Sequence, residues 1–397
     1  MKDKENTLKE YNEYTVRCYP RSLGITLQRG EGSKVWDTKG REYLDFTSGI
    51  GVVSLGHCNQ EILKVIKRQA GTLIHSSNVF YNMPHGEAAK RLSEASGMDK
   101  VFFCNSGAEA SEAAIKFARK WGSTTNRHQI ITFSGGFHGR TLATISAIDD
   151  EKVKKGFAPF LDGFTIVPPF ELKAIERAIT KETVAVMFEP VMGKGGVILP
   201  PQGFFEGIER LREKYGLLII LDEVQCGVGR TGKFYYYQYT DVKPDIVASA
   251  KGLGGGLPIG ATLCSDEIAK CVGIGGHGTT FGGNPLCTAV AAEVTKIVSE
   301  PKFLNKVIEK GTKLIEGLRD IASCHKDIFS EIRGCGLMIG ATLNIDKLEF
   351  IKALAQDGLL IIGASGNNIR IYPPLTVTEE EIEDALSRIK DVCRRRQ

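Results

Sequence analysis

The sequence predicts an α/β fold in which helices cover both faces of a largely parallel sheet. From about residue 50 to about residue 285, short apolar runs alternate with stretches of helical periodicity such as residues 61–73 and 202–214. Several apolar runs end in a charged residue, as residues 217–221 do at Asp222. Strands buried in a parallel sheet have this pattern, and their C-terminal ends meet at one edge of the sheet.

The order of these elements predicts a large domain over residues 51–285 and a smaller α/β domain over residues 286–397. The second unit begins with an apolar helical stretch and then alternates strands with helices as far as the C-terminus. We expect residues 1–50 to add strands to this smaller domain. A chain of 397 residues is long enough for two or three such cores.

Composition argues against several classes of protein. A net charge of +4, without a basic stripe interleaved with aromatic residues, argues against a nucleic-acid partner. No apolar stretch approaches the roughly 20 residues that span a bilayer, and the charged N-terminus lacks the apolar core of a signal peptide. The ten scattered cysteines have no metal-site spacing. We therefore expect a cytoplasmic protein with single thiols, no metal and no membrane partner.

An acid and an amine follow two of the predicted strands. Asp222 ends the run at residues 217–221, and the run at residues 245–250 leads into Lys251 and a glycine-rich turn. Together they suit an aldehyde cofactor with a ring nitrogen, because the lysine can bind the aldehyde covalently and the aspartate can keep the ring nitrogen protonated. A lone lysine beside a turn is more often a solvated surface residue, so the interpretation depends on the motifs that accompany it.

A possible phosphate site follows the strand predicted at residues 101–104. Ser106 and Glu109 have the spacing of a capping box, and residues 110–119 are rich in helix formers. A tight turn at Gly107 would leave free amides at the helix N-terminus, where a phosphate binds well. An ordinary strand-to-helix connection has the same pattern.

Three further segments carry side chains that suit a planar, charged ligand. Phe137 lies between glycines and can stack on a ring, and Arg140 can hold a carboxylate with its two-pronged guanidinium. The strand predicted at residues 184–188 ends in Glu189. The glycine-rich segment at residues 277–285 offers two threonine hydroxyls for a further phosphate contact.

With these motifs in this order, the chain resembles the class III, or ornithine-type, aminotransferases. The resemblance covers nearly the whole chain, from residues 30–37 through Gly56 and His57 to residues 370–375. It implies the type I fold of the pyridoxal-phosphate enzymes, with a large domain and a smaller α/β domain. Within the family, the chain is most similar to the acetylornithine aminotransferases.

The resemblance implies roles for individual residues. Lys251 would carry the pyridoxal 5'-phosphate and act as the base in the 1,3-proton shift, and Asp222 would pair with the pyridinium nitrogen. Thr280 of a neighbouring subunit would join the phosphate site of a homodimer. The remaining cofactor contacts would be Ser106, Gly107, Ala108, Phe137, Glu223, Val224 and Gln225. The substrate contacts would be Arg140, Thr279, Arg370 and Glu189.

The resemblance also implies a reaction, the transfer of the terminal amino group of N2-acetyl-L-ornithine to 2-oxoglutarate. One departure affects the substrate. Where the family has Glu-Pro-x-Gln-Gly-Glu-Gly-Gly, residues 189–196 place Lys194 at the second glutamate, which is thought to neutralise the second arginine. Ornithine, succinylated diamino acids and 4-aminobutyrate therefore stay open as alternative amino donors.

Other classes of function also stay open at the level of sequence. Residues 227–232 match the dinucleotide-binding fingerprint, although that motif needs a following helix and an acid about twenty residues later. A protein of the same fold that has lost catalysis and serves as a binding partner would keep most of these motifs. Within the pyridoxal-phosphate enzymes, an aminomutase or a decarboxylase is the nearest competitor.

Overall fold

A computed structural model describes residues 4–396. Its strands are β1 (Leu27–Glu31), β2 (Lys34–Asp37), β3 (Glu42–Asp45), β4 (Lys100–Cys104), β5 (Gln129–Phe133), β6 (Phe164–Val167), β7 (Thr183–Phe188), β8 (Leu218–Asp222), β9 (Ile246–Ser249), β10 (Gly260–Cys264), β11 (Phe329–Cys335), β12 (Met338–Leu343), β13 (Leu359–Leu360), β14 (Ile362–Gly363) and β15 (Asn368–Ile371).

The helices that connect and cover these strands vary from one turn to more than six. They are α1 (Lys4–Tyr14), α2 (Ser48–Gly51), α3 (Gln60–Ala70), α4 (Met83–Ser96), α5 (Gly107–Gly122), α6 (Leu142–Ser146), α7 (Glu151–Lys154), α8 (Leu172–Ala178), α9 (Phe204–Tyr215), α10 (Asp266–Val272), α11 (Pro285–Val298), α12 (Pro301–Cys324), α13 (Lys347–Gln356) and α14 (Glu379–Arg394). Three short 3₁₀ turns cover Ser123–Thr125, Tyr236–Tyr239 and Lys251–Gly254.

The predicted α/β sheet is confirmed as a seven-stranded sheet of order β4-β10-β9-β8-β7-β5-β6. The strands from β9 to β6 pair in parallel, and only β10 runs antiparallel to its two neighbours. β7, β8 and β9 are fully buried, as expected for strands covered on both faces. The C-terminal ends of β4, β5, β7, β8 and β9 therefore meet at one edge.

Two four-stranded sheets form the rest of the chain. One has the order β11-β12-β15-β14 and is antiparallel throughout. The other has the order β1-β2-β3-β13, in which β3 from the N-terminal segment pairs in parallel with β13. The first fifty residues therefore share a sheet with the C-terminal part of the chain.

The domain boundaries at residues 50 and 285 stay a prediction. Helix α11 packs against α4 and α3, and its apolar side chains belong to the core of the large sheet. Helix α12 contributes instead to the second core, together with α13, α14 and the antiparallel strands. This packing favours a boundary after Val298, because α11 continues the helical layer of the large unit.

Helix starts follow local capping chemistry more closely than hydrophobic periodicity. α4 begins at Met83, because the Asn82 side chain at its N-cap accepts a hydrogen bond from the His85 amide. Among the described residues, no helix is both long and apolar enough to cross a membrane. All ten cysteines are free thiols.

The aromatic layer under the large sheet supports a stability prediction. Phe188 is fully buried and stacks on Phe133 with ring centroids 5.1 Å apart. Phe188→Ala should lower the free energy of unfolding of the cofactor-free protein by about 3–5 kcal/mol, since it leaves a cavity. Denaturant titration measures the change. The control Phe157→Ala, on a side chain that is 60% exposed, should stay within about 0.5 kcal/mol. Equal effects of the two changes would contradict the prediction.

Candidate active site

A cavity of about 440 Å³ lies where the strands of the large sheet end. Its walls come from the segments that follow β4, β5, β7, β8 and β9, which the parallel sheet brings to one place. The side chains and backbone that line it are Val52, Asn105, Ser106, Gly107, Ala108, Phe137, His138, Gly139, Arg140, Glu189, Asp222, Val224, Gln225, Ala250, Lys251, Gly256, Leu257, Pro258 and Ile259. Most of the residues that the sequence singled out therefore converge here.

Lys251 projects into this cavity from a strained turn. It is the first residue of the 3₁₀ turn after β9, and its φ of 46° lies in the left-handed region that non-glycine residues rarely adopt. Burial lowers the pKa of its amine from 10.5 to about 8, although Glu189 and Asp222 act in the opposite direction. The amine therefore becomes neutral, and nucleophilic, at a much lower pH than an exposed lysine does.

Asp222 is the buried carboxylate at the end of β8, and a histidine holds it. Nδ1 of His138 lies 2.7 Å from Oδ2 of Asp222, and both side chains are almost fully buried. Burial alone lowers the pKa of His138, but the hydrogen bond and charge of Asp222 outweigh it and raise the pKa overall. The Val224 amide donates to Oδ1 at 3.1 Å. Asp222 is thus fixed in position in the wall of the cavity.

The segment after β4 forms a cradle for an anion at the N-terminus of α5. Ser106 is the N-cap, and its hydroxyl accepts a hydrogen bond from the Glu109 amide at 3.2 Å. The Glu109 carboxylate accepts from the Asn105 amide at 2.7 Å. Gly107 is required by close packing, because a Cβ there would lie 2.7 Å from Cγ1 of Val224. The first amides of α5 are left pointing at the cavity, as a phosphate needs.

Phe137 and Glu189 build another wall of the cavity. The buried Glu189 carboxylate accepts hydrogen bonds from the amides of Phe137 and Gly193, each at 3.0 Å. Burial raises the pKa of Glu189, and the charge of Asp222 adds to the rise. The Arg140 guanidinium lies 5.7 Å from the centre of the Phe137 ring, at the exposed side of the cavity. An aromatic face and a cation are therefore both available to a planar anionic ligand.

Gln225 connects the cavity to the second unit. Its Oε1 accepts hydrogen bonds from Nη1 of Arg370 at 3.2 Å and from the Tyr372 hydroxyl at 2.9 Å. With its oxygen bound in this way, Gln225 presents its amide NH₂ group to the cavity. Arg370 lies behind Gln225 and outside the cavity lining, and its Nη2 donates to the Gly363 carbonyl at 2.9 Å.

Besides Arg370, three residues expected in the site lie outside the cavity lining. The Glu223 carboxylate turns into the protein, where it accepts from Sγ of Cys226 at 3.1 Å and from the Tyr237 amide. We therefore do not retain Glu223 as a cofactor contact; successive side chains at a strand end point in opposite directions. The Thr279 hydroxyl accepts from Nδ2 of Asn105, which does line the cavity. Thr280 is exposed to solvent in this single chain.

Lys194, the departure from the family motif, lies beside a carboxylate of the same chain. Its Nζ lies 2.5 Å from Oδ2 of Asp150 and 5.1 Å from the centre of the Phe137 ring. The hydrogen bond to Lys194 lowers the pKa of Asp150, so this carboxylate is ionised at neutral pH. Asp150 therefore offsets the reversed charge that the sequence places at this position.

The glycines at residues 227–232 lack the structural context of a nucleotide loop. The 3₁₀ turn Tyr236–Tyr239 follows them, where the dinucleotide-binding motif requires a helix. Arg230 is fully buried and donates to the carbonyls of Leu337 and Pro373 in the second unit. The small residues serve the close packing of this buried segment. Among residues 4–396, no group of three or more His, Cys, Asp or Glu side chains could hold a metal ion.

Comparison with known proteins decides the family. The model of the class III aminotransferases matches residues 17–393. The chain belongs to the class III aminotransferases. An acetylornithine aminotransferase of Bacillus cereus is 46% identical, covering 93% of this chain and 94% of its own.

Solved structures of class III aminotransferases have the same fold. An ornithine aminotransferase from Toxoplasma gondii matches with a TM-score of 0.95 and 31% identity, covering 100% of this chain and 96% of its own. An N-acetylornithine aminotransferase from Stenotrophomonas maltophilia matches with a TM-score of 0.83 and 36% identity, covering 97% of each chain. The type I fold is therefore confirmed, and this aminotransferase uses pyridoxal phosphate.

The cavity of this aminotransferase fits that cofactor. Lys251 offers a partly neutral amine, Asp222 a fixed carboxylate, and the N-terminus of α5 free amides beyond a glycine. When bound, pyridoxal phosphate supplies an electron sink for the bonds that change at the substrate carbon. His138 is the contributor that sequence reasoning missed. Its position between the glycines of residues 135–139, beside a candidate stacking residue, was the available signal.

The low pKa of Lys251 predicts how the cofactor-free enzyme binds pyridoxal phosphate. The rate of covalent binding should rise with pH and level off above about 8, because only the neutral amine attacks the aldehyde. Absorbance in the visible range, followed after mixing between about pH 6 and pH 10, measures this rate. Borohydride reduction and peptide mass mapping should then place the label on Lys251. A label on another lysine, or a rate still rising at pH 10, would contradict the prediction.

Proposed function

We propose that the enzyme transfers the terminal amino group of N2-acetyl-L-ornithine to 2-oxoglutarate, a reaction of arginine biosynthesis. The observation that supports this choice of substrate is near-full-length similarity to acetylornithine aminotransferases from several organisms, at 42–46% identity. The products are N-acetylglutamate 5-semialdehyde and glutamate. The ten free thiols fit a reducing compartment, and we propose that the enzyme is cytoplasmic.

The site residues divide into those that hold the cofactor and those that move protons. Lys251 is proposed to bind the cofactor and then, once released, to carry the proton between the two carbons that exchange it. Asp222, fixed by His138, keeps the ring nitrogen protonated. The cofactor contacts proposed are Ser106, Gly107 and Ala108 for the phosphate, and Phe137, Val224 and Gln225 for the ring and its hydroxyl.

Two guanidinium groups fit the two carboxylates of 2-oxoglutarate. Arg140 lies at the exposed side of the cavity, and Arg370 lies behind Gln225. We propose that Arg140 binds the carboxylate of the amino donor in its own half-reaction, with Thr279 and Glu189 as further substrate contacts. A free α-ammonium group beside Arg140 would add a second cation, whereas an acetylated nitrogen adds none. This charge balance favours acetylornithine over ornithine.

Ornithine is the second candidate donor, and one observation favours it. The structural match to an ornithine aminotransferase has a TM-score of 0.95, above the 0.83 of the Stenotrophomonas acetylornithine enzyme. A TM-score over the whole chain depends mainly on the fold and the arrangement of the domains. It says little about the amino donor, because donor choice depends on a few side chains. Succinylated diamino acids and 4-aminobutyrate complete the set to be compared.

A panel of amino donors with 2-oxoglutarate tests the proposed function. Acetylornithine should give the highest kcat/KM, and Arg140→Ala should weaken both half-reactions by roughly 2–5 kcal/mol, since it leaves a carboxylate unpaired. Glutamate formation, followed by a coupled assay, measures each rate. The exposed Arg210→Ala is the matched control and should leave the rates unchanged. A higher kcat/KM for ornithine or 4-aminobutyrate than for acetylornithine would contradict the proposed donor, but it would not affect the assignment to the aminotransferase family.

An exposed apolar strip next to Thr280 supports a homodimer. Val79, Phe80, Tyr81 and Met83 are 71% exposed or more. The neighbouring Asn78 side chain donates to the carbonyls of Thr279 and Gly282, so this strip borders the threonine segment. A contiguous apolar surface of this kind marks an interface, and two-fold dimers are the commonest assemblies. We propose that Thr280 completes the phosphate site of the partner subunit.

Subunit complementation tests the shared site. Lys251→Ala and Thr280→Asp should each be inactive, but co-expression should restore activity, because one site of the mixed dimer has both native residues. Lys251→Ala co-expressed with Asp222→Ala is the control and should stay inactive, since those residues belong to one subunit's site. Failure of the first pair to recover, or an active monomer in sedimentation, would contradict the proposal.

A further inference from the structure

The hydroxyl of Tyr372 forms a buried hydrogen bond at the edge of the active site. Tyr372 follows β15 in the second unit, and its side chain is fully buried. Its hydroxyl donates to Oε1 of Gln225 at 2.9 Å, across to the segment that lines the cofactor cavity. Burial raises the pKa of Tyr372 far above its usual range, so the phenol stays protonated and remains a donor.

Gln225 has little freedom to turn its oxygen elsewhere. Its Oε1 accepts from both Tyr372 and Arg370, and a Cβ on the neighbouring Gly193 would lie 1.8 Å from that atom. Because Gly193 has no side chain, there is room beside it for the side-chain amide of Gln225. The NH₂ group is left to donate into the cavity, where the ring hydroxyl of the cofactor is proposed to lie.

Of the two donors to Gln225, Arg370 is the one that a ligand can displace more easily. It donates hydrogen bonds to two neutral oxygens, Oε1 of Gln225 and the Gly363 carbonyl, and its buried Nε has no partner among the described residues. Among the side chains that the structure describes, residues 9–396, no carboxylate forms an ion pair with this guanidinium. A ligand carboxylate is a stronger partner than an amide oxygen, so a bound dicarboxylate competes with Gln225 for Arg370.

The hydrogen bond from Tyr372 to Gln225 is separate from this competition for Arg370. We propose that Tyr372 is a positioning residue that holds the Gln225 amide toward the cofactor while Arg370 is taken by the second carboxylate of a substrate. The inference rests on the proposed function, because it needs the cofactor at Lys251 and a dicarboxylate at Arg370. The cofactor contact then stays the same in both half-reactions, with and without a second carboxylate.

The visible absorption of the bound cofactor gives a readout beyond activity. An NH₂ donor stabilises the deprotonated ring hydroxyl, so loosening Gln225 should raise the pH midpoint of the colour change. The probe is glutarate, which has two carboxylates and no amino or keto group to react. In the holoenzyme carrying Tyr372→Phe, saturating glutarate should raise the midpoint by about 0.5–1 unit more than it does in the native enzyme, the contribution of one hydrogen bond.

Two controls separate positioning from general damage. Tyr237→Phe removes another buried tyrosine hydroxyl, which donates to the Ser96 carbonyl, and should match the native enzyme. In a Gln225→Ala background, Tyr372→Phe should cause no further shift, since its effect passes through Gln225. An equal shift in that background, or no extra glutarate shift in Tyr372→Phe, would overturn the inference. A native enzyme without a coloured lysine-bound cofactor would instead contradict the proposed function.

Discussion

The environment of one amine governs the chemistry of this protein. Lys251 must be sufficiently desolvated to lose its proton near neutral pH, yet it must lie beside Asp222 and Glu189, whose charges favour the protonated form. Burial outweighs the two carboxylates, and the pKa falls to about 8. The left-handed backbone at Lys251 is a local cost of bringing the amine to that place. The dense packing of the surrounding sheet holds this conformation.

Around this amine, each carboxylate is controlled by groups that define its direction. Both carboxylate oxygens of Glu189 accept hydrogen bonds from backbone amides, so Glu189 is a fixed part of the cavity wall and not a mobile base. Asp222 is held by His138 and by the Val224 amide. Hydrogen bonds of this kind preorganise charge where the reaction needs it, so little rearrangement accompanies catalysis.

Polar side chains cross the contact between the two units, beside a buried apolar cluster of Val191, Val197, Cys226, Met338 and Tyr372. Arg230 reaches from the large unit to two carbonyls of the second, and Arg370 and Tyr372 reach back to Gln225. A guanidinium with only neutral partners in a buried position can accept a carboxylate at low cost in lost bonds. Under the proposed function, the second unit brings a substrate-binding guanidinium to the cofactor cavity.

Local sequence patterns determined much of this protein. The strand ends at Asp222 and Lys251 and the helix cap at Ser106 are properties of a few neighbouring residues, and the parallel arrangement then brings them to one edge. What the tertiary structure decided is where side chains beyond a strand end point and what they meet. Glu223 turns inward to the Tyr237 amide, and Lys194 meets Asp150, because each contact depends on a residue outside the local segment. Periodicity carries no information about such partners, since they are chosen by packing between segments that fold together.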